Sequence, residues 1–362
     1  MPILQKIEEK TWDAIHLTEI FDTISRGKRI KKSDHIPGDI PYVSSTALAN
    51  GTDGSCGNVK NVRKFGDCLT LANSGSVGSC FYHPYDFVAS DHVTALSREG
   101  TSEDCYLGLS VLVGRLGEKY NFNREINDTR ISRERVMLPV SDSGEPDYSY
   151  IEEYIRLKRS ALLEKYQCWV KTRITELGNT IDIPQLSEKD WQAFVIKDIA
   201  DVYSGHDIYA QERVNGETPL VTAVGTNNGV GYFVGNENDS RAEESISVVR
   251  NGASVGKAFY HKYSALYGND CRRMKLKQSN SEFVNLFITQ VIGMQNKAFS
   301  YSRKLGTERL QNLRIMLPVA DDGTPDYEYM EQYAKNLMLR KYKQYLAYLD
   351  SKEETAPATA ND

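Results

Sequence analysis

The sequence predicts a mixed α/β (α+β) protein: two tandem-repeat globular domains joined by two long antiparallel helices that form a coiled-coil spacer. Three observations lead there. The chain repeats itself, each repeat opens with short strand-like segments between Gly, Asn and Ser turns, and each closes with a long stretch free of Pro and Gly.

The repeat fixes the domain plan. MLPVSDSGEPDYSYIEEY (137–154) returns 179 positions later as MLPVADDGTPDYEYMEQY (316–333). At nearly the same offset SVGSCFYH (76–83) returns as SVGKAFYH (254–261), IPYVSSTALANG (40–51) as TPLVTAVGTNNG (218–229), and TWDAIHLTEIFD (11–22) as DWQAFVIKDIAD (190–201). The expected boundaries are a first globular domain at 1–146, a central helix at 147–180, a second globular domain at 181–325 and a C-terminal helix at 326–350. The polar end, SKEETAPATAND (351–362), reads as a disordered tail.

Within each domain PYVSS, DCLTLA and SISVVR have strand character, and CYLGLSVLVGRLG and SEFVNLFITQVIG have helical character. After Pro146-Asp147 the chain from Tyr148 to Leu177 lacks breakers, and Ile151, Ile155, Leu162, Tyr166 and Trp169 recur at helical spacing. After Pro325-Asp326 a shorter counterpart carries Met330, Tyr333, Leu337, Tyr342, Tyr345 and Leu349. A helix of about thirty residues spans ~45 Å, more than the width of the domain before it. Its stripe is therefore expected on its twin, with like faces pairing antiparallel about a pseudo-twofold axis.

Composition is that of a soluble globular protein. The N-terminus MPILQKIEEKTWDAIH carries charges where a signal peptide is apolar, and no run reaches the length of a membrane span, so a cytoplasmic location is expected. Six cysteines without C-x-x-C pairing argue against a zinc site or a disulfide framework. A net charge of −5 speaks weakly against nucleic-acid binding, although local basic stretches can overrule a total. NGASVGKAFYH (251–261) looks like a damaged phosphate loop, but only three residues separate its glycines where the motif needs four, and Ala258 replaces the Mg²⁺-binding hydroxyl. Its twin has Ser79 in place of Lys257, which removes a nucleotide site from consideration. GVGYFVG (229–235) misses the dinucleotide fingerprint, and there is no H-E-x-x-H or G-x-S-x-G.

The paired domain-then-helix plan, IPYVSSTALANG and TPLVTAVGTNNG, GDCLTLANSGSVG and VVRNGASVG, and KLGTERLQNLRIMLPV together resemble the specificity subunits of type I and type IIB restriction–modification systems. The resemblance covers nearly the whole chain. It implies a non-catalytic subunit: each globular unit would be a target-recognition domain for one half of a split double-stranded DNA site, and the helices would set the gap and dock methyltransferase and endonuclease subunits. Those partners would bring S-adenosylmethionine and Mg²⁺, with ATP left open; no cofactor is expected in this chain. MLPVSDSGEPDY and its twin stand where type I subunits usually carry a double-proline, Glu-Gln junction, which leans toward the type IIB branch.

Under that resemblance, basic residues serve phosphates and polar loop residues serve base edges. In the first domain the candidates are Arg26, Lys28, Arg29, Lys31 and Lys32, then Tyr42, Ser44, Ser45, Asn73, Ser74, Ser76, Asn121 and Asn123. In the second they are Thr222, Asn227, Asn228, Arg250, Asn251, Ser254, Lys257, Arg272, Arg273, Tyr301 and Arg303. Many of these could equally close turns. Two other accounts stay open: a tandem carbohydrate- or protein-binding scaffold, and an enzyme with an unrecognised site repeated at Asn73 and Asn251.

Overall fold

A computed structural model describes residues 4–121, 123–300 and 302–355, without the side chains of 352–355. The chain forms two compact units, Met1–Tyr166 and Gln167–Asp362. Each is a mixed α+β body built to one plan.

In the first unit a two-stranded antiparallel sheet pairs Trp12–His16 with Arg135–Pro139, so the two ends of the domain meet. Strand 135–139 alternates exposed and buried side chains, as one covered face requires. A four-stranded sheet runs in the order Thr23–Arg26, Val93–Ser97, Cys68–Ala72, Cys80–His83. Its inner strand CLTLA is buried at every position, which explains the unbroken apolar run. A second sheet has the order Thr52–Cys56, Ile40–Val43, Phe87–Ala89, Lys64–Phe65. Helix Glu103–Gly114 starts on Ser102, whose hydroxyl accepts the Cys105 amide, and packs Leu109 and Val113 into the main core with Leu69, Leu71 and Leu96.

The second unit repeats this plan. Trp191–Val195 pairs with Arg314–Pro318; the four-stranded order is Ala200–Ser204, Cys271–Leu276, Ser245–Val249, Ala258–His261. Its smaller sheet has three strands, Val230–Val234, Asn215–Val221 and Leu266–Tyr267, with an Ala242–Ala265 bridge beside them. Polar ties repeat as well. The Tyr150 hydroxyl donates to Gln5 O at 3.0 Å and that of Tyr329 to Pro184 O at 2.9 Å. Buried His83 meets the Thr70 hydroxyl at 2.8 Å, and buried His261 meets that of Ser247 at 2.8 Å.

The central helix covers Tyr148–Leu177 and the C-terminal helix Tyr327–Thr355. The second is therefore nearly as long as the first and passes residue 350, because SKEET holds no helix breaker before Pro357. Residues 356–362 of the expected tail lie outside the described residues. Inside the second unit, Trp169 meets the Tyr342 ring edge-on at 5.7 Å, and Asn336 exchanges hydrogen bonds with the Ile181 backbone at 2.7 and 3.2 Å. Numbering rises on one side as it falls on the other, so these segments run antiparallel.

The stripe needs correcting at its start. Ile151 and Met330 are buried in the domain cores, and Ile155 packs half-buried against the first of them, because the first two turns after each proline lie on their own domain. Gly108 allows this in the first unit, since a Cβ there would sit 2.3 Å from Ile151 Cγ2. Leu349 is also largely covered, whereas Leu162 is 67 % exposed and Trp169, Leu337 and Tyr345 are open to solvent in part. Tyr166 and Tyr342 are half-buried.

Candidate nucleic-acid interface

Five chain segments converge at one edge of the first unit. The Ser76 amide donates to Ser45 O at 3.0 Å, the Asn73 amide to His92 O at 2.8 Å, and the Ile126 amide to Asn73 O at 3.0 Å. Arg26 Nε donates to Asp91 O at 2.6 Å, and its guanidinium lies 3.8 Å from Asp128. Turns 44–51, 73–79 and 90–92, segment 121–128 and the start of the basic loop are thus one surface. Gly78 makes its turn with φ +86°, and a Cβ there would strike Gly117 Cα at 2.3 Å, so a glycine is needed for both reasons.

The second unit builds the same edge with other contacts. The Leu305 amide donates to Arg250 O at 3.0 Å, the Arg250 amide to Asp270 O at 2.8 Å, and Lys257 Nζ to Gly225 O at 3.0 Å. Ala72 N reaches Ser79 O in the first unit and Val249 N reaches Lys257 O in the second, so the loop between holds six residues (73–78) in one and seven (250–256) in the other. The extra residue shifts the correspondence. Asn73 corresponds to Arg250 and not to Asn251.

Among the candidates, Lys28, Arg29, Lys31, Lys32, Asn121, Asn123, Asn227, Asn228 and Arg303 are exposed. Half-buried are Arg26, Tyr42, Ser44, Ser45, Ser76, Thr222, Arg250, Asn251, Ser254, Lys257 and Arg273. Ser44 is engaged by Asp53 at 3.2 Å, and Arg273 lies over the Tyr203 ring at 4.0 Å. Burial raises the Tyr42 phenol above its ordinary range, and its ring meets His35 edge-on at 4.8 Å.

Three candidates are corrected because they face inward. Asn73 is fully buried and its Oδ1 accepts from the Thr94 hydroxyl at 2.9 Å. Ser74 is buried against His92, 2.5 Å from Nδ1. Arg272 is buried; its Nη1 donates to Asn269 O at 2.8 Å and Cys271 O at 2.9 Å, and burial followed by the neighbouring Arg250 charge lowers its pKa. All three shape loops from behind. Tyr301 lies outside the described residues.

Sequence reasoning missed Lys297, Lys304 and Arg309, which line the second unit's loop clefts with Lys257 and Arg250. A signal for two of them lies in KLGTERL (304–310), where Lys304 and Arg309 stand against one acid, Glu308. Among the described residues no group of three or more His, Cys, Asp or Glu is placed to hold a metal, and no helix is long and apolar enough to cross a membrane.

The family model described as the type I restriction modification DNA specificity domain matches residues 9–165 and again 188–345. The chain belongs to this specificity-domain family. The family supplies the DNA sequence recognition of restriction–modification systems, and catalysis lies in partner subunits. A curated relative, the type II restriction enzyme specificity subunit S.BcgI of Heyndrickxia coagulans, is 26 % identical over 321 residues, covering 88 % of this chain and 92 % of its own. Among solved structures, the type I S subunit from M. genitalium is 14 % identical with a TM-score of 0.48, covering 98 % of this chain and 97 % of its own. The HsdS subunit from Thermoanaerobacter tengcongensis is 13 % identical with a TM-score of 0.31, over 94 % and 91 %. In this specificity-domain chain the two family matches fall on the two repeats.

Proposed function

We propose that the chain is the recognition subunit of a restriction–modification complex and reads an asymmetric, bipartite DNA target, one unit per half-site. One observation carries this: a like hydrogen-bonded loop frame occurs twice with different side chains on it, Ser79 against Lys257 and Glu125 against Lys304. Like frames suit the pseudo-symmetry of a duplex, and unequal side chains select unequal half-sites. The DNA and its partner enzymes put the complex in the cytoplasm.

Docking of methyltransferase and endonuclease subunits belongs to the same reading. Each unit bears a groove beside its two-stranded sheet: one of about 810 Å³ with an apolar wall of Trp12, Val111, Leu112 and Met137 rimmed by Arg115, Glu118, Lys119, Glu134 and Arg135, and a mainly apolar one of about 940 Å³ along Trp191, Val291, Met294 and Met316. Solvated apolar walls of this kind suit a partner's side chains. S-adenosylmethionine, Mg²⁺ and any ATP would be held by the partners.

The test is to co-express the chain with a methyltransferase subunit of such a system and map methylated bases genome-wide. Two different half-motifs at one fixed gap are expected. A motif whose halves vary in spacing, or a single unsplit motif, would sink the bipartite reading.

A further inference from the structure

We propose that the second unit grips the DNA backbone in a cationic cleft whose counterpart in the first unit is closer to charge balance, while the first uses its loop at 26–32. The inference rests on the DNA-recognition reading above. The cleft, of about 720 Å³, lies between the end of strand Ser245–Val249 and the segment 302–312. Its walls include Arg250, Lys304 and Arg309, with Ser302 and Thr307 as hydroxyl donors, and among the described residues Glu308 is the one acid lining it. Three cations against one carboxylate, with hydroxyls between them, match the phosphodiester backbone of a duplex.

The repeated frame identifies what the first unit has at each place. Arg250 O accepts from Leu305 and Asn73 O from Ile126, so the arginine replaces a buried asparagine. Arg309 donates to Lys304 O as Arg130 donates to Glu125 O, so Lys304 replaces a glutamate. The Ser204 hydroxyl lies 3.4 Å from that of Thr307; the first unit has Arg26 facing Asp128 there instead. The first unit thus carries Arg26, Arg130 and Arg133 against Glu125 and Asp128, where the second carries three cations against Glu308. More positive charge sits on the first unit's loop, as exposed Lys28, Arg29, Lys31 and Lys32 against Asp34, where the second unit's loop 204–213 has His206, Asp207, Glu212 and Arg213. One fold has placed its phosphate contacts on different loops in its two copies.

Because the first unit accommodates Asn and Glu at these places, Arg250→Asn and Lys304→Glu suit the backbone. Arg309 is left intact because it closes its loop, as Arg130 does in the first unit. The full-length chain is titrated with a mixed-sequence DNA duplex at salt from about 50 to about 200 mM, where phosphate contacts dominate. The double variant is expected to bind about tenfold or more weakly, with a log–log salt slope shallower by about 2, and the exposed single variant Lys304→Gln shallower by about 1. Salt-dependent wild-type binding with unchanged affinity and slope in the variants overturns the cleft alone. A changed sequence preference at constant slope overturns it in favour of base reading. A wild-type chain that binds no duplex at low salt removes the DNA-recognition reading, and the cleft with it.

Discussion

Lys10 and Asp147, 137 residues apart, pair at 2.7 Å, and Lys189 and Asp326 repeat that pair at the same separation in sequence and at 2.8 Å. Each aspartate also caps its long helix, Asp147 accepting the Tyr150 amide at 3.0 Å and Asp326 the Tyr329 amide at 2.9 Å. The pair ties the start of a domain to the helix that leaves it. Burial alone would raise the Asp147 pKa, but Lys10 and the Tyr150 amide outweigh it and hold the carboxyl below its ordinary value of 3.8. Its contribution is therefore present above pH ~4 and lost as pH falls through the lower folded value. Asp147→Ala is expected to cost about 2 kcal/mol from the lost cap and the stranded lysine, read by chemical denaturation. A loss below about 0.5 kcal/mol would make the pair ornamental.

The repeated histidines set a second pH dependence, of the opposite origin. Burial lowers His83 and His261 to about 4 from 6.5. The unfolded chain therefore takes up protons before the folded one, and stability falls as pH drops from about 6.5 to about 4. Each histidine can contribute roughly 3 kcal/mol to that loss. The denaturation midpoint should fall over this window and fall less in a His83→Gln, His261→Gln variant.

Gly108 lies against the central helix with no room for a Cβ, which would fall 2.3 Å from Ile151 Cγ2. Gly108→Ala should destabilise the first unit by about 1–3 kcal/mol, through overlap with Ile151. A double variant with Ile151→Ala should be less destabilised than the sum of the two single changes. Additive costs would mean that the helix does not rest on this point.

Lys257 locks the turn at Gly225 onto the 251–256 loop. Lys257→Met should relax base preference in one half of the methylated motif and leave the other half unchanged, as mapped by sequencing. Equal change in both halves would contradict one unit per half-site.

The two grooves give a separable prediction. Met316→Glu and Met137→Glu place a charge in the second and first groove, where the methionines are 47 % and 50 % exposed. Each is expected to lower methyltransferase recovery in co-purification without changing DNA affinity of the chain. Undiminished recovery from both would move docking elsewhere.

Much of the plan was legible from the chain alone. The two copies of MLPV…PDY, the buried strand runs and the breaker-free stretches determine a duplicated α+β unit ending in a long helix, because periodicity and turn chemistry are local properties. Tertiary structure decided which way side chains face and which loops meet. Asn73, Ser74 and Arg272 read as surface polar residues, yet they turn inward because their neighbours offer buried hydrogen-bond partners. Ile151 and Met330 read as part of a seam, yet they close domain cores because the helices begin on their own domains. Lys304 and Arg250 lie 54 positions apart, and no local pattern joins them. Only the folded loops bring them to one cleft, since long-range proximity is set by sheet order and loop length, and the one extra residue in 250–256 decides which side chain stands there.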